Sequence, residues 1–550
     1  MSSMVRFSRP AVAVLSAAVL ASCGGSGGDN SPPVEPLSAV AACGALVDAG
    51  LPMTTIAATH NAQGSATVAG TALDAHCVVD GKTNERVGAD GKTFQIGYRL
   101  RMPDNWNGRM VFVGGGGNDG NVGNAVGPNV GPLGAMVPAM QQGFAVVSTD
   151  GGHTGGRAED FGNDPIARVD HAYNAYDVTA VNAKALIAKR YGRGPDKSYF
   201  WGSSGGGRQG MMFTQRFPDY FDGVVSVYPA MRVASGGTIA AIYNHVQFTG
   251  IAPIENGSPI LSKAYSDADL NLLAGAILQQ CDALDGLADG MVNNFKACQF
   301  EPAMLQCAGA KTESCLTAPQ VQGLQRLFAG PVNSAGQSLY VGQVADPGIS
   351  RPGWRAWALG TSTTPEPNSR YVTLMADALR WEFFTPPDPG FDPLSFNFDT
   401  DPMRMAATSS IYDTYRDDRL GAYRAHGGKL MFVHGLADPI FSAYDTIDYV
   451  ERLAANHGGI DALQSWSRLF LIPGYVHGAG GRSTDGFDTL TPMVQWVENG
   501  TPPDTLLAGA PPNHDLFPSR TRPLCVYPKF AKYRGTGDPE VAASFSCETR

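Results

Sequence analysis

Between Lys197 and Phe213 the chain reads KSYFWGSSGGGRQGMMF: an apolar β-prone run, two serines set among glycines, then an apolar-rich stretch. This feature limits the possible folds more than any other. Gly202-Ser203-Ser204-Gly205-Gly206 fits G-x-S-x-G at a strand-to-helix junction, where the chain turns so sharply that the residues two before and two after the central serine must be nearly free of side chains. A turn of that kind presents Ser204 as a nucleophile, with the N–H of Gly205 at the start of the helix as an oxyanion donor. Other glycine patterns overlap it. Gly205 to Gly210 also fits G-x-G-x-x-G, as do Gly115, Gly117 and Gly120. A dinucleotide site, however, needs an acidic residue at a strand end about 20 residues later, and Asp222 begins a strand instead.

The flanking segments describe an α/β domain. RMVFV (109–113), running into GGGGNDG, and FAVVSTDGG (144–152) are strand candidates. YDVTAVNAKALIAKRYG predicts a helix with Val178, Val181, Ala185 and Ala188 along one face and Gly192 ending it. KSYFW, DGVVSVYP, KLMFVHGLAD (429–438) and RLFLIPGYVHG (468–478) add further strands, with helices near 442–456 and 490–499.

A serine hydroxyl is a weak nucleophile without a base, and the base needs an orienting acid. Asp438 follows KLMFV and His477 follows RLFLI. Both therefore fall just past strand ends, in the chain order serine, acid, histidine. The second oxyanion donor is assigned to the N–H of Gly117, with Gly116 as the alternative, in the glycine loop after RMVFV.

At 550 residues the chain is longer than one core usually serves. The α/β rhythm breaks from residue 230 to 426, a Pro- and Gly-rich region that reads as an inserted lid. The expected organisation is a leader at 1–23, a Gly/Ser/Pro tether at 24–37, a first core part at 38–229, the lid at 230–426 and a second core part at 427–550. A net charge of −10 without a basic cluster argues against nucleic acid as a partner. Arg6 and Arg9 precede a short apolar run ending in Leu20-Ala21-Ser22-Cys23, which looks like a bacterial lipobox with Cys23 as the acylated residue. Eight other cysteines remain, an even number that suits disulfides in an oxidising compartment. Pairing by proximity joins Cys43 to Cys77, Cys281 to Cys298, Cys307 to Cys315 and Cys525 to Cys547.

Taken with their flanks, these residues resemble the tannase and feruloyl esterase family of α/β-hydrolases. The likeness rests on RMPDNWNGRMVFVGGGGNDG, STDGGH, KSYFWGSSGGGRQGMM, CDALDGLADGMVNN, HGLAD and IPGYVHGAGG, and covers nearly everything after the tether. It implies an α/β-hydrolase fold with a large inserted lid, and a serine carboxylic ester hydrolase acting through an acyl-enzyme on small aromatic acid esters. Family members usually carry a cysteine just before the serine and another just after the histidine, joined as a disulfide. Here Ser203 and Gly478 stand in those places, so a working but less heat-resistant site is expected. The resemblance also implies a structural calcium ion in the lid, held by carboxylates of Asp282, Asp285 and Asp289 and carbonyls of Leu287 and Met291. By alignment with the terephthalate half-ester hydrolases of the family, Arg370 falls where an arginine grips a free substrate carboxylate, and Trp357 where an aromatic packs on the substrate ring. Leu374 and Met375 replace a phenylalanine and a serine of that lining, and Gly205 a larger side chain. Terephthalate half-esters are the first expected substrates and feruloyl or galloyl esters the second. A non-catalytic aromatic-binding lipoprotein is the third reading. The expected protein is an exported monomer, lipid-anchored at the outer membrane, periplasmic or secreted.

Overall fold

In the computed structural model, which describes residues 37–478 and 480–549, the apolar runs lie side by side. The leader, its Cys23 and the tether up to residue 36 fall outside the described residues. The central sheet has nine strands: β1 (Thr54–Asn61), β2 (His76–Val87), β3 (Thr93–Pro103), β4 (Arg109–Val113), β5 (Ala145–Thr149), β6 (Lys197–Ser203), β7 (Gly223–Val227), β8 (Lys429–Gly435) and β9 (Ser467–Ile472). Their order is β1-β2-β3-β5-β4-β6-β7-β8-β9. The β1–β2, β2–β3 and β3–β5 pairs are antiparallel, and all pairs from β5–β4 to β8–β9 are parallel. Strands covered on both faces read as continuous apolar runs, and β5, β7 and β8 are buried almost throughout.

Helix α1 (Ala175–Tyr191) precedes β6, and α2 (Gly205–Arg216) links β6 to β7. A nest of rings seats α2 on the sheet: Phe112 and Phe200 lie 5.5 Å apart, and Phe213 and Phe221 4.7 Å. Helix α1 ends at Gly192, which adopts φ +75. Its buried face differs from the expected one. Val181 is 51% exposed and Ala185 is also exposed, while Tyr176, Ala180, Ala183, Leu186 and Ile187 turn inward. The long side chains Tyr176, Leu186 and Ile187 bury more apolar area than alanines and set the rotation.

Between β7 and β8 the chain leaves the sheet. This insertion contains α3 (Thr238–Ile251), α4 (Asp267–Cys281), α5 (Ala318–Ala329) and α6 (Pro352–Ala358), and its strands are the two-residue pair Ile254–Glu255 and Ser258–Pro259. Helix α4 starts at a capping box, with Ser266 accepting from the N–H of Asp269 and Asp269 from that of Ser266. Helix α7 (Ala443–Asn456) then joins β8 to β9, and α8 (Leu490–Asn499) follows β9.

Arg208 of α2 is fully buried and ties core to insertion, donating to the carbonyls of His171 and Ala172 on one side and Tyr412 on the other. Nearby, His171 Nδ1 meets Glu382 Oε1 of the insertion at 2.7 Å, both groups 1% exposed. The four disulfides join Cys43–Cys77, Cys281–Cys298, Cys307–Cys315 and Cys525–Cys547.

Candidate active site

Strand β6 ends at Ser203 and α2 begins at Gly205, so Ser204 alone makes the turn. Its φ of 60° and ψ of −122° are costly for a residue with a Cβ. Backbone bonds hold it there: its N–H donates to Val227 O at 2.9 Å, and its carbonyl accepts from the N–H groups of Arg208 and Ala230, each at 3.1 Å. The two glycines of the motif are required by close approach. A Cβ on Gly202 would lie 2.5 Å from the Gly206 carbonyl, and one on Gly206 would lie 2.5 Å from Gly115 O.

The register of the parallel strands aligns Ser203, Val227, Val433 and Phe470, so the loops after β6, β8 and β9 open on the same edge. Ser204, Asp438 and His477 meet there. Ser204 Oγ lies 2.7 Å from His477 Nε2, and His477 Nδ1 lies 2.7 Å from Asp438 Oδ2. A carboxylate accepts from Nδ1–H, which leaves Nε2 free to take the serine proton. Asp438 Oδ1 accepts from the N–H groups of Ile440 (2.9 Å) and Phe441 (3.0 Å). Burial alone would raise the Asp438 carboxyl, but the pull of His477, aided by His434 with its Nε2 3.6 Å from Asp438 Oδ2, holds it well below the usual carboxylate range. His434 closes the same loop: its Nε2 donates to Phe441 O at 2.8 Å, so Nδ1 accepts from the Thr446 hydroxyl at 2.9 Å. The imidazole of His477 is boxed by Tyr228, Trp357 and Phe441, with ring centroids 4.6, 4.9 and 5.3 Å away. Where the family's cysteine pair would stand are Ser203 and Gly478, the latter at φ +95. Burial raises the Tyr228 phenol, and hydrogen bonding with Ser203 and Tyr475 draws it back.

The glycine loop after β4 passes over the start of α2. A Cβ built on Gly205 would lie 3.6 Å from Gly117 N, so these two residues flank one small space beside Ser204. Gln209 of α2 fastens the loop at two points, accepting from Gly115 N–H at 3.1 Å and donating to Asp119 Oδ2 at 2.8 Å. Gly117, rather than Gly116, lines the cavity above the nucleophile.

That cavity is narrow and open at its mouth, with about 390 Å³ between its walls when the solvent at the opening is counted. Gly117, Asn118, Ser204 and Gly205 form its core wall, while Trp357, Leu374, Met375, Phe383 and Tyr412 from the insertion form most of the rest. Arg370 is exposed and does not line the cavity. Its guanidinium sits over Trp357, 5.1 Å from the ring centroid, and among the described residues it has no ion pair. Sequence reasoning missed Asn118, Val233, Ala378, Phe383, Tyr412 and Phe441. Of these, Asn118 adjoins the predicted donor Gly117, Ala378 lies four residues past Leu374 and Phe441 three past Asp438, so adjacency alone pointed to them, while nothing in their residue types did. A roomier hollow lined by Phe295, Leu436, Leu471, Tyr527 and Phe530 contains no triad residue.

The acidic loop after α4 is separate from this cavity. Asp282 accepts from Gly290 N–H, Asp285 from Leu287 and Asn293, and Asp289 from Met291 N–H and the Arg522 guanidinium. Burial raises the Asp282 carboxyl and pushes that of Asp285 up to about 7, and Asp289 adds to both. Asp282 Oδ1 is buried without a hydrogen-bond partner. Among the described residues no three His, Cys, Asp or Glu side chains converge closely enough to hold a metal ion. Leu287 and Met291 lie in the same loop.

A sequence profile described as "Tannase and feruloyl esterase" matches residues 77–548. Mono(2-hydroxyethyl) terephthalate hydrolase of Piscinibacter sakaiensis is 41% identical, over 93% of this chain and 92% of that enzyme. Feruloyl esterase C of Talaromyces stipitatus is 27% identical, over 82% of this chain and 83% of its own. Among solved structures, feruloyl esterase B from Aspergillus oryzae superposes with a TM-score of 0.77 at 25% identity, covering 93% of this chain and all of that one.

Proposed function

The chain belongs to the tannase and feruloyl esterase family and is a carboxylesterase, and from that premise we propose that it cleaves esters of small aromatic acids, mono(2-hydroxyethyl) terephthalate first among them, through an acyl-enzyme on Ser204. The observation that carries this reading is the line Ser204–His477–Asp438, at 2.7 Å per step, whose serine end lines a cavity walled by Trp357, Phe383, Tyr412 and Phe441.

His477 Nε2 takes the proton of Ser204 Oγ as the oxygen attacks the ester carbonyl carbon. The carbonyl oxygen becomes an oxyanion and accepts from the N–H groups of Gly117 and Gly205. When the carbon–oxygen bond to the alcohol breaks, His477 returns the proton to the departing oxygen, releasing ethylene glycol from the terephthalate half-ester. Water then attacks the acyl-enzyme with His477 again as base. The proton goes back to Ser204 Oγ, and the aromatic acid leaves. Throughout, Asp438 fixes the imidazole tautomer and stabilises its cation.

Arg370, without an ion pair among the described residues and with its guanidinium over Trp357, is the group that would bind the distal carboxylate of a terephthalate half-ester. Its position outside the cavity lining is what favours a second reading, a feruloyl or galloyl esterase with no need of that cation. Hydrolysis of terephthalate, ferulate and gallate esters by the wild type and by Arg370→Ala separates the two. A roughly tenfold or greater rise in KM confined to carboxylated esters supports the first, and equal change on neutral esters supports the second.

The acidic loop is the place for a structural Ca²⁺. Asp282, with its unpartnered buried Oδ1, and Asp285 would offer hard oxygen donors, and the carbonyls of Leu287 and Met291 two more, although the three carboxylates do not converge here and Asp289 is taken by Arg522. An ion bound there would brace the insertion and take no part in bond breaking. Exhaustive chelation should lower the melting temperature without changing KM. The disulfides support export to an oxidising compartment, and no helix among the described residues is long and apolar enough to cross a membrane. Acylation of Cys23 would supply the anchor.

A further inference from the structure

Asn118 follows Gly117 directly in the glycine loop and lines the cavity beside Ser204. It is 8% exposed, and its side-chain Nδ2 is buried with no hydrogen-bond partner among the described residues. A buried N–H group without an acceptor is a standing cost to the fold, and such groups in native proteins call for an explanation. The loop cannot relieve it by swinging outward. Gln209 grips the loop on both sides of Asn118, Gly120 N–H donates to Asp150 O at 2.7 Å, and Gly155 N–H donates to Gly120 O at 3.2 Å. The facing wall offers one side-chain oxygen, the Tyr412 hydroxyl, and it makes no hydrogen bond with Asn118 Nδ2, while the side chains of Trp357, Leu374, Met375, Phe383 and Phe441 carry no oxygen acceptor. An aromatic ring entering the cavity brings no acceptor either. The ester group does, and it must lie over Ser204, where the core wall supplies Gly117, Asn118 and Gly205 together.

We propose that the Asn118 side-chain amide is a third donor to the oxyanion, acting with the backbone N–H groups of Gly117 and Gly205. The inference rests on Ser204 being the nucleophile. A donor already fixed and dry before the reaction needs no reorganisation as charge develops, and it binds a charged oxygen about twice as strongly as a neutral one. Its contribution therefore falls on the chemical step rather than on ground-state binding.

The test begins with a p-nitrophenyl ester burst in the unsubstituted enzyme and its loss in Ser204→Ala. Absence of a Ser204-dependent burst overturns the nucleophile and the inference together. With the burst established, kcat and KM are measured for Asn118→Ala and for the nearly isosteric Asn118→Asp. Affinities for an arylboronic acid, which forms a tetrahedral adduct on the serine, and for benzoate are measured alongside. The expected result is a fall in kcat of roughly a hundredfold with KM within about threefold, boronate affinity falling in parallel and benzoate affinity unchanged. Asn118→Ser, which keeps a shorter donor, should recover part of the loss, and it decides the matter should the other two misfold. Unchanged kcat, a rise in KM alone, or equal loss of boronate and benzoate affinity overturns the proposal.

Discussion

The two walls of the cavity differ in kind. On the core wall the reacting groups are held largely through backbone groups: Ser204 by a strained turn bonded to Val227 and Ala230, Asp438 by two N–H groups of its own loop, and the glycine loop through the Gly115 N–H, from which the buried Gln209 side chain accepts. On the insertion wall the contacts are side chains alone, mostly apolar, with Arg370 the exposed cation behind Trp357. A backbone-held group keeps its geometry whatever ester arrives, whereas an apolar side chain can be exchanged for another of similar volume at modest cost. The core wall therefore governs whether an ester is cleaved, and the insertion wall governs which one.

The sharpest break in this division is Ser204→Ala, which should lower kcat by about 10⁴-fold or more on every ester while leaving the melting temperature within a few degrees. A loss that varies with the acid portion would mean that the insertion, not the core, carries the chemistry. Next in size is the joint between the walls. Glu382→Ala leaves a buried His171 N–H without its acceptor and should destabilise the protein by about 1–3 kcal/mol, read as a lower denaturant midpoint. An unchanged midpoint would mean that the insertion merely rests on the core.

The smallest effect concerns charge within the core wall itself. Asp438 is held low by His477, whereas burial pushes Asp150, at the end of β5, up to about 7 despite the N–H groups of Gly152 and Gly97. A carboxyl whose folded value exceeds its unfolded value of about 3.9 favours folding below that lower value, and its contribution is lost as pH rises through about 7. Stability should thus decline from about pH 4 to about 7 and level off above. Asp150→Asn should reduce the slope, and an unaltered slope would show that Asp150 does not titrate in that range.

How much could be read beforehand follows the same division. RMVFV, KSYFW and KLMFV announce themselves because parallel strands covered on both faces must be apolar throughout, and the elbow because two glycines touch there. Asp438 and His477 were legible from their places after strands. The rotation of α1 was not, since its many alanines form no distinct stripe and only the sheet decides which residues face it. Of the insertion wall, only Trp357, Leu374 and Met375 were legible, and those through the family resemblance. Phe383 and Tyr412 come from separate short helical pieces, and nothing local tells a cavity-lining ring from a core ring. By its residue type Asn118 was invisible for a related reason: a lone asparagine in a glycine loop ordinarily signals a turn.

Acid-quenching the enzyme within the first turnover of a p-nitrophenyl aromatic ester, followed by peptide mass mapping, tests the central claim most directly. The account predicts one acyl group on the peptide containing Ser204 and none in Ser204→Ala. An acyl group on another residue, or full turnover by Ser204→Ala, would contradict it.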